Sequence, residues 1–411
     1  MKRINFEKIL LFFFVASWVN LPGIIYEKWS LDLLTAGHGK NLIPYLLPLL
    51  LLLFSYYFYR SEWSTRFGNP FYGVAHMIVN KTTTEDKVLG VLIIYMIFIN
   101  HITAILDSSE SNLRMIMPLI TAHFFYWLYR RYSLISNLDN LNEFFGQCVF
   151  FSIMIMLCLQ MLMFFGFIPG LVDIADADTQ QKLFNFIQVN GMHIGSTSFM
   201  ALILLFLLLF YNIKLPAPII FTGFLIIFVA LIVNQVRGAL LPAVLLLLLY
   251  FLGKINLRNI LFLILAASLI LMFYFNNLDS RIFSFDASAN ERVLLMTKTW
   301  DSFIEYPVFG QGSYFAQNLR FGFTVQFVVH NYYLRFLVSY GVVGFIIFLC
   351  YLQPLFLRRF RYKDLVGLFV VFSIFTFDAY LYWAIMIIAA FHNDDINEVS
   401  LKKKELIMKA V

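Results

Sequence analysis

Apolar runs long enough to cross a bilayer recur along the whole of this 411-residue chain. A hydrocarbon layer about 30 Å thick takes roughly 20 apolar residues in a helix. The composition agrees, because 61% of the residues are hydrophobic and only 13% are charged. Too little charge is present to cover a water-soluble surface, so we predict an all-α polytopic membrane protein forming one membrane domain over 1–411. The predicted spans are 9–26, 42–59, 88–106, 113–130, 144–168, 192–212, 216–234, 238–253, 259–276 and 334–357.

The connecting loops alternate in charge, and this alternation predicts the orientation. By the positive-inside rule, the loops rich in Lys and Arg are cytoplasmic. The apolar stretch 365–391, interrupted by Asp378, is too long for one upright helix and too short for two full crossings. A basic tail at 402–404 favours a cytoplasmic C-terminus, so we predict about twelve crossings, with eleven as the alternative. The basic loops contain Lys2, Arg3 and Lys8; Arg60, Arg66, Lys81 and Lys87; Arg130 and Arg131; Lys214; Lys254 and Arg258; Arg358, Arg359, Arg361 and Lys363.

Several kinds of chemistry are not expected. The net charge of +6 follows from topology and does not indicate nucleic-acid binding. Neither a Walker loop, a dinucleotide fingerprint, a nucleophile elbow nor metal-ligand spacing occurs, so we expect no cofactor and no metal. Cys148, Cys158 and Cys350 lie in apolar runs and are interpreted as buried packing residues. We interpret His101, His123 and His193 as packed or interfacial.

The polar residues that stand out lie on the outer side, in or near a long loop at 277–333 that we expect to contain short helices. Arg237 lies in the short turn 234–238, where an arginine that reaches lipid headgroups is an equal alternative to a functional one. Arg292 follows a capping box, Ser288-x-x-Glu291, and so falls in the first turn of a predicted helix. Free N–H groups and a guanidinium there favour an anion, although a solvated arginine remains the simpler reading. The apolar stripe of that helix, suited to a membrane surface, is Val293, Met296, Trp300 and Phe303.

His330 directly precedes the span that we expect to begin near Asn331. A helix N-terminus favours the neutral imidazole that a general base requires, whereas a lone histidine is more often structural. Arg281 and Arg335 are further outer-side cations that could assist, and Arg335 lies about one turn inside a span.

Four segments in this order resemble the O-antigen ligase/polymerase superfamily of bacterial membrane glycosyltransferases, over residues 190–391. One departure is Ser339, where many members have an acidic residue two positions before the first glycine of the last motif. The segments that carry the resemblance are Gly195-Ser-Thr197, Val236-Arg-Gly-Ala-Leu-Leu241, Arg292 with Trp300 and Pro307-Val-Phe-Gly310-Gln-Gly312, and His330-Asn331 with Gly341 and Gly344.

The resemblance implies an enzyme of the bacterial inner membrane whose site faces the periplasm, with 277–333 as the large periplasmic loop. The donor would be a glycan on undecaprenyl diphosphate, and the acceptor lipid A–core or a growing glycan. Arg237 and Arg292 would bind the diphosphate, and His330 would act on the acceptor hydroxyl. Arg281, Arg335, Asn331, Gly310 and Gly312 would support the site.

Two alternatives stay open. Within the family, the ligase is favoured over the repeat-unit polymerase because the Arg-Gly-Ala and His-Asn motifs are more ligase-like. Outside it, a flippase or other secondary transporter would also be polytopic, but it would place functional charges and broken helices near the bilayer midplane. The notable charges of this sequence are instead at the outer rim.

Overall fold

The computed structural model describes residues 2–19, 83–106, 116–135, 140–164, 167, 194–211, 213–234, 237–252, 297–313, 319–321, 325–327, 332–356 and 378–391. The predicted spans 42–59 and 259–276 lie outside these residues. The described helices are α1 (Lys2–Trp18), α2 (Thr84–Leu106), α3 (Ile116–Ile135), α4 (Leu141–Phe164), α5 (Ile194–Phe210), α6 (Ala217–Asn234), α7 (Arg237–Leu252), α8 (297–305), α9 (Tyr332–Phe356) and α10 (Asp378–Phe391).

The prediction of a helical protein with membrane-spanning segments is confirmed for the described residues. Three described helices contain segments long and apolar enough to cross a membrane: Thr84–Leu106, Leu141–Leu162 and Tyr333–Gln353. Two shorter apolar stretches, Ser198–Phe210 and Ala217–Leu231, have the same character. The number of crossings stays a prediction. For the predicted bent pair at 365–391, only the second helix falls in the described part, and it begins at Asp378.

A short antiparallel hairpin departs from the all-α prediction. Strand β1 (Leu319–Phe321) pairs with β2 (Val325–Phe327), and Arg320 lies opposite Gln326. The loop at 277–333 thus contains a hairpin that was not predicted, in addition to the predicted short helix. Strands of three residues are too short to produce a readable alternation of apolar and polar positions.

Helix α5 lies at the centre of the described bundle. It packs against α4, α6, α7 and α10, and its residues from Phe199 to Leu207 are essentially inaccessible. A helix that is apolar on every side is expected to be enclosed by others. A second cluster forms around Trp18 of α1, whose ring packs against Phe125, Tyr129 and Phe145. These aromatic contacts join α1, α3 and α4.

Helix α9 packs along α2, and α10 packs along α3. Polar and charged side chains near the start of α2 connect the α2–α9 pair to the α3–α10 pair. His123 Nδ1 lies 2.8 Å from the Tyr351 hydroxyl, and His123 Nε2 lies 2.9 Å from Asp86 Oδ1. Arg130 donates to Glu85 Oε1 at 2.6 Å. His123 is thus a packed residue, as predicted, and it connects α2, α3 and α9.

The cysteine prediction holds only in part. Cys148 is buried and Cys158 half-buried, but Cys350 is exposed, so its interpretation as a buried packing residue was wrong. An apolar run gives no sign of which helix face turns toward lipid, and Cys350 follows Leu349, which is also exposed.

Candidate functional site

The motif Pro307-Val-Phe-Gly310-Gln-Gly312 forms a turn directly after α8. The turn begins as the Tyr306 N–H donates to the Phe303 carbonyl at 3.2 Å, and the Gly310 N–H donates to the Tyr306 carbonyl at 3.1 Å. Gly310 has φ 77° and Gly312 has φ 80°. Positive φ angles of this kind favour glycine, so the two glycines of the motif are explained by the path of the backbone.

The apolar helix α9 is broken at Gly341, which has φ 63° and ψ −172°. The break frees backbone groups that the turn then satisfies. The Val342 N–H donates to the Pro307 carbonyl at 2.8 Å, and the Gln311 N–H donates to the Val338 carbonyl at 2.8 Å. The bond that a continuous helix would form between Val342 and Val338 is thus replaced by two bonds to the turn.

Glycines allow the two backbones to approach this closely. A Cβ on Gly310 would lie 2.5 Å from the Ser339 carbonyl carbon, and one on Gly341 would overlap the Val308 carbonyl. A Cβ on Gly344 would lie 2.8 Å from the Tyr95 ring. We refer to this contact, between residues 306–312 and 338–344, as the glycine junction. It explains structurally why the two motifs occur together.

Polar side chains of α2 complete the glycine junction. The Tyr95 hydroxyl donates to the Tyr340 carbonyl at 2.8 Å. Asn100 accepts from the Ser313 N–H at 2.8 Å and donates to the Tyr340 hydroxyl at 3.3 Å. The sequence analysis did not select Tyr95 or Asn100. An asparagine inside an apolar span is energetically unfavourable unless its side chain is hydrogen-bonded. The presence of Asn100 in the predicted span 88–106 was therefore a signal in the sequence that this residue has a partner.

A group of buried polar residues surrounds the glycine junction. Gln311 Nε2 donates to the Ser302 carbonyl at 2.9 Å, which fixes the turn to α8. Arg335 is only 8% exposed, and Ser339 lies one helical turn further along the same face of α9. Ser339, the departure from the family pattern, is fully buried. A buried guanidinium inside a membrane span is expected to have a structural or functional partner.

The predicted site residues are only partly described. Gly310 and Gly312 lie in the glycine junction, and Arg335 is buried on α9. The backbone of Arg237 begins α7, so it lies in the helix and not in the preceding turn as predicted. The other predicted site residues lie outside the part of the chain that the structure describes; they are Arg281, Arg292, His330 and Asn331. Helix α9 begins at Tyr332, two residues after His330, close to the predicted start near Asn331.

The predicted helix after Arg292 is confirmed over 297–305, but its faces differ from the prediction. Trp300 is exposed as expected, whereas Phe303 is half-buried and Ile304 takes the outer position. Thr299 is fully buried beside Phe303 on the inner face. The residues of the predicted stripe that precede the helix, Val293 and Met296, lie outside the described part. Among the described residues, no group of three His, Cys, Asp or Glu side chains could hold a metal ion.

The described part of the chain is thus that of a helical membrane protein in which one span is broken and bonded at the break to a loop turn. Residues 222–349 match the family model described as O-antigen ligase. This match supports the resemblance to the O-antigen ligase/polymerase superfamily that the motifs predicted. The match supports an O-antigen ligase/polymerase-type membrane glycosyltransferase. Comparison with curated proteins gave no match.

Proposed function

We propose that this protein transfers a glycan from undecaprenyl diphosphate to an acceptor hydroxyl at the outer face of the inner membrane. Among the acceptors, we favour lipid A–core, which makes the protein an O-antigen ligase. The observation that carries the proposal is the family match over 222–349, which includes Arg237, Arg292 and His330. The repeat-unit polymerase is the same chemistry with a different acceptor.

The glycine junction supports the grouping of these residues. It fixes the turn at 306–312 to α9 by backbone hydrogen bonds. Arg292 precedes the described start of α8 by five residues, and His330 precedes α9 by two. In sequence, each candidate therefore lies within five residues of one of the two elements that the junction holds together. A fixed separation between two catalytic groups is what an oriented transfer reaction requires.

The chemistry needs charge neutralisation on one side and proton removal on the other. The acceptor oxygen forms a bond to the anomeric carbon while the bond from that carbon to the diphosphate oxygen breaks. The lipid diphosphate leaves with its electron pair, and Arg237 and Arg292 stabilise its charge by two-point contacts. The acceptor proton passes to His330 and from there to water.

The break in α9 is the one observation that favours a transporter, because transporters use discontinuous helices to bind substrates. In that use, the freed backbone groups are available to the substrate or ion. Here the Val342 N–H and the Val338 and Tyr340 carbonyls are engaged by the turn and by Tyr95. We therefore interpret the break in α9 as a structural part of the proposed glycan-transfer site and not as part of a transport pathway.

The fate of the donor in cells separates these functions. With His330→Ala, we expect the lipid-linked glycan to accumulate at the outer face, because delivery continues while transfer stops. Full-length glycan left on the carrier indicates a ligase, and single repeat units indicate a polymerase. Accumulation at the cytoplasmic face would contradict the enzyme and support a flippase. Membrane expression at the wild-type level is the control.

A further inference from the structure

The turn of the glycine junction lies deep along the two spans that hold it. It bonds to α9 at Val342 and Val343. The preceding residue, Gly341, is eight residues inside the span Tyr333–Gln353, or about 12 Å at 1.5 Å per residue. On α2 the Tyr95 hydroxyl lies 3.5 Å from the Phe309 carbonyl, and Tyr95 is eleven residues, or about 16 Å, from either end of Thr84–Leu106. Asn100, which accepts from Ser313 at the end of the segment, is six residues, or about 9 Å, from Leu106. Both spans therefore place the turn well inside the apolar layer, although the loop at 277–333 was predicted to be periplasmic.

Apolar side chains point outward from the turn at this depth. Val308 is 51% exposed and Phe309 58% exposed, and Tyr306 is exposed as well. The spans that hold the turn expose apolar residues at similar levels, Ile94 on α2 and Val342 on α9. The outward face of the turn thus continues the lipid-facing surfaces of its neighbours. Contiguous apolar exposure of this kind marks an interaction surface.

Most backbone polar groups of the turn are satisfied within the protein, as an apolar surrounding requires. Pro307 brings no N–H group, and its carbonyl accepts from Val342. The Val308 carbonyl accepts from the Val343 N–H at 3.2 Å. Irregular backbone is tolerated at membrane depth only where such groups are satisfied by protein or by a water-filled cavity.

Helix α8 has the three faces expected of an element at a boundary between protein, lipid and water. Thr299 and Phe303 turn toward the protein, and Trp300 and Ile304 form an exposed apolar face. Lys298, Asp301 and Glu305, spaced at successive turns, form an exposed charged face beside it. Such a division, with an outward-facing tryptophan, is typical of helices at a membrane interface.

We propose that residues 297–313 form a re-entrant segment that enters the bilayer from the outer side, with Tyr306, Val308 and Phe309 facing lipid acyl chains. The charged face of α8 remains in water. The occupant of the exposed apolar surface is the bilayer and not a partner protein, because the surface is continuous with those of two spans. This inference does not depend on the proposed transfer reaction.

Nitroxide accessibility in nanodiscs tests the proposal. The three native cysteines are replaced, the full-length protein is labelled at one position, and relaxation by oxygen is compared with relaxation by a water-soluble nickel chelate. A label at Val308 should match one at Ile94, with high oxygen and low nickel accessibility. A label at Asp301, in the same segment, should show the opposite pattern.

Two results would overturn the proposal. If a label at Val308 behaves like the one at Asp301, Val308 lies in water and the segment does not enter the bilayer. A label reached by neither reagent is covered by a second copy or a partner helix. If the labelled protein does not assemble, the thiol reactivity of the unlabelled Val308→Cys variant is measured in cells whose outer membrane is permeabilised. This variant should resist an impermeant maleimide that modifies a cysteine at position 320, and equal reactivity would refute the membrane location.

Discussion

At the residue scale, two glycine motifs are explained by one contact. Gly310 and Gly341 each have a positive φ, and each lies where a side chain would overlap the other backbone. The motif glycines are thus required by structure, whatever the chemistry of the nearby charges. Gly310 and Gly341 therefore shape the backbone of the site, whereas Arg237, Arg292 and His330 are the residues that we propose to act on the substrate.

We predict that Gly341→Ala destabilises the protein. Gly341 has φ 63° and ψ −172°, a backbone region that is essentially restricted to glycine and costs another residue about 1–3 kcal/mol, and the overlap with Val308 adds to it. The midpoint of thermal unfolding of the purified protein should fall. The control is Gly90→Ala in α2, which has no atom within 4 Å of its Cβ and should be neutral or stabilising. Equal effects of the two substitutions would refute the glycine junction.

We predict that Arg237→Ala and Arg292→Ala each abolish glycan transfer at normal membrane expression. Lysine should restore only part of the activity, because an ammonium cannot make the planar two-point contact of a guanidinium. The measurement is transfer of lipid-linked glycan to acceptor in membranes. Lys298→Ala, an exposed cation of the same loop, is the matched control and should retain activity. Full activity of Arg292→Ala would mean that Arg292 is an ordinary solvated residue.

At the element scale, α2 and α9 are joined by polar contacts at two separate levels of an apolar interface. Near the start of α2, Asp86 and Tyr351 meet through His123. Further along, Tyr95 and Asn100 hold α9 and the turn together. Two separated sets of directional contacts fix the register of the helices more closely than apolar packing alone.

We predict that Asn100→Leu loosens the turn from α2. The substitution keeps the number and branching of the side-chain heavy atoms but removes the acceptor of the Ser313 N–H, and a buried unsatisfied group costs about 1–3 kcal/mol. Stability in detergent should fall, and protease cleavage within 306–313 should increase. Phe98→Leu, at an exposed position on the same helix, is the control. If cleavage is unchanged, Asn100 does not hold the turn.

The sequence predicted helix positions well where apolar length alone determines them. The predicted spans 216–234 and 334–357 correspond to α6 (Ala217–Asn234) and α9 (Tyr332–Phe356). Where charged residues extend a helix beyond the apolar layer, the apolar length does not indicate where the helix begins. Helix α1 begins at Lys2 and not near residue 9, and its Glu7 accepts a hydrogen bond from Tyr132 at 2.8 Å.

The candidate site was less predictable because its contacts join distant parts of the chain. The motif glycines were recognisable, but the break at Gly341 depends on its pairing with Pro307 and Val308. Tyr95 and Tyr340 are 245 positions apart, and no local pattern connects them. Periodicity reports which residues share a helix face, and it carries no information about such pairings.

At the scale of the whole molecule, orientation rests on the alternation of loop charge. We predict that cysteines at positions 285 and 320 react with an impermeant thiol reagent in cells whose outer membrane is permeabilised. Cysteines at 62 and 256 should react only after lysis, because the positive-inside rule places them in the cytoplasm. Labelling of position 256 from outside would reverse the orientation and exclude a periplasmic site.

The central claim is that the chain catalyses glycan transfer without an external energy source. The most direct measurement is release of undecaprenyl diphosphate by the purified protein, given the lipid-linked glycan and lipid A–core in the absence of ATP. We expect acceptor-dependent release, reduced about 10²–10⁴-fold by His330→Ala, the contribution typical of a general base. No release above the level without protein, or equal release by wild type and His330→Ala, would contradict the account.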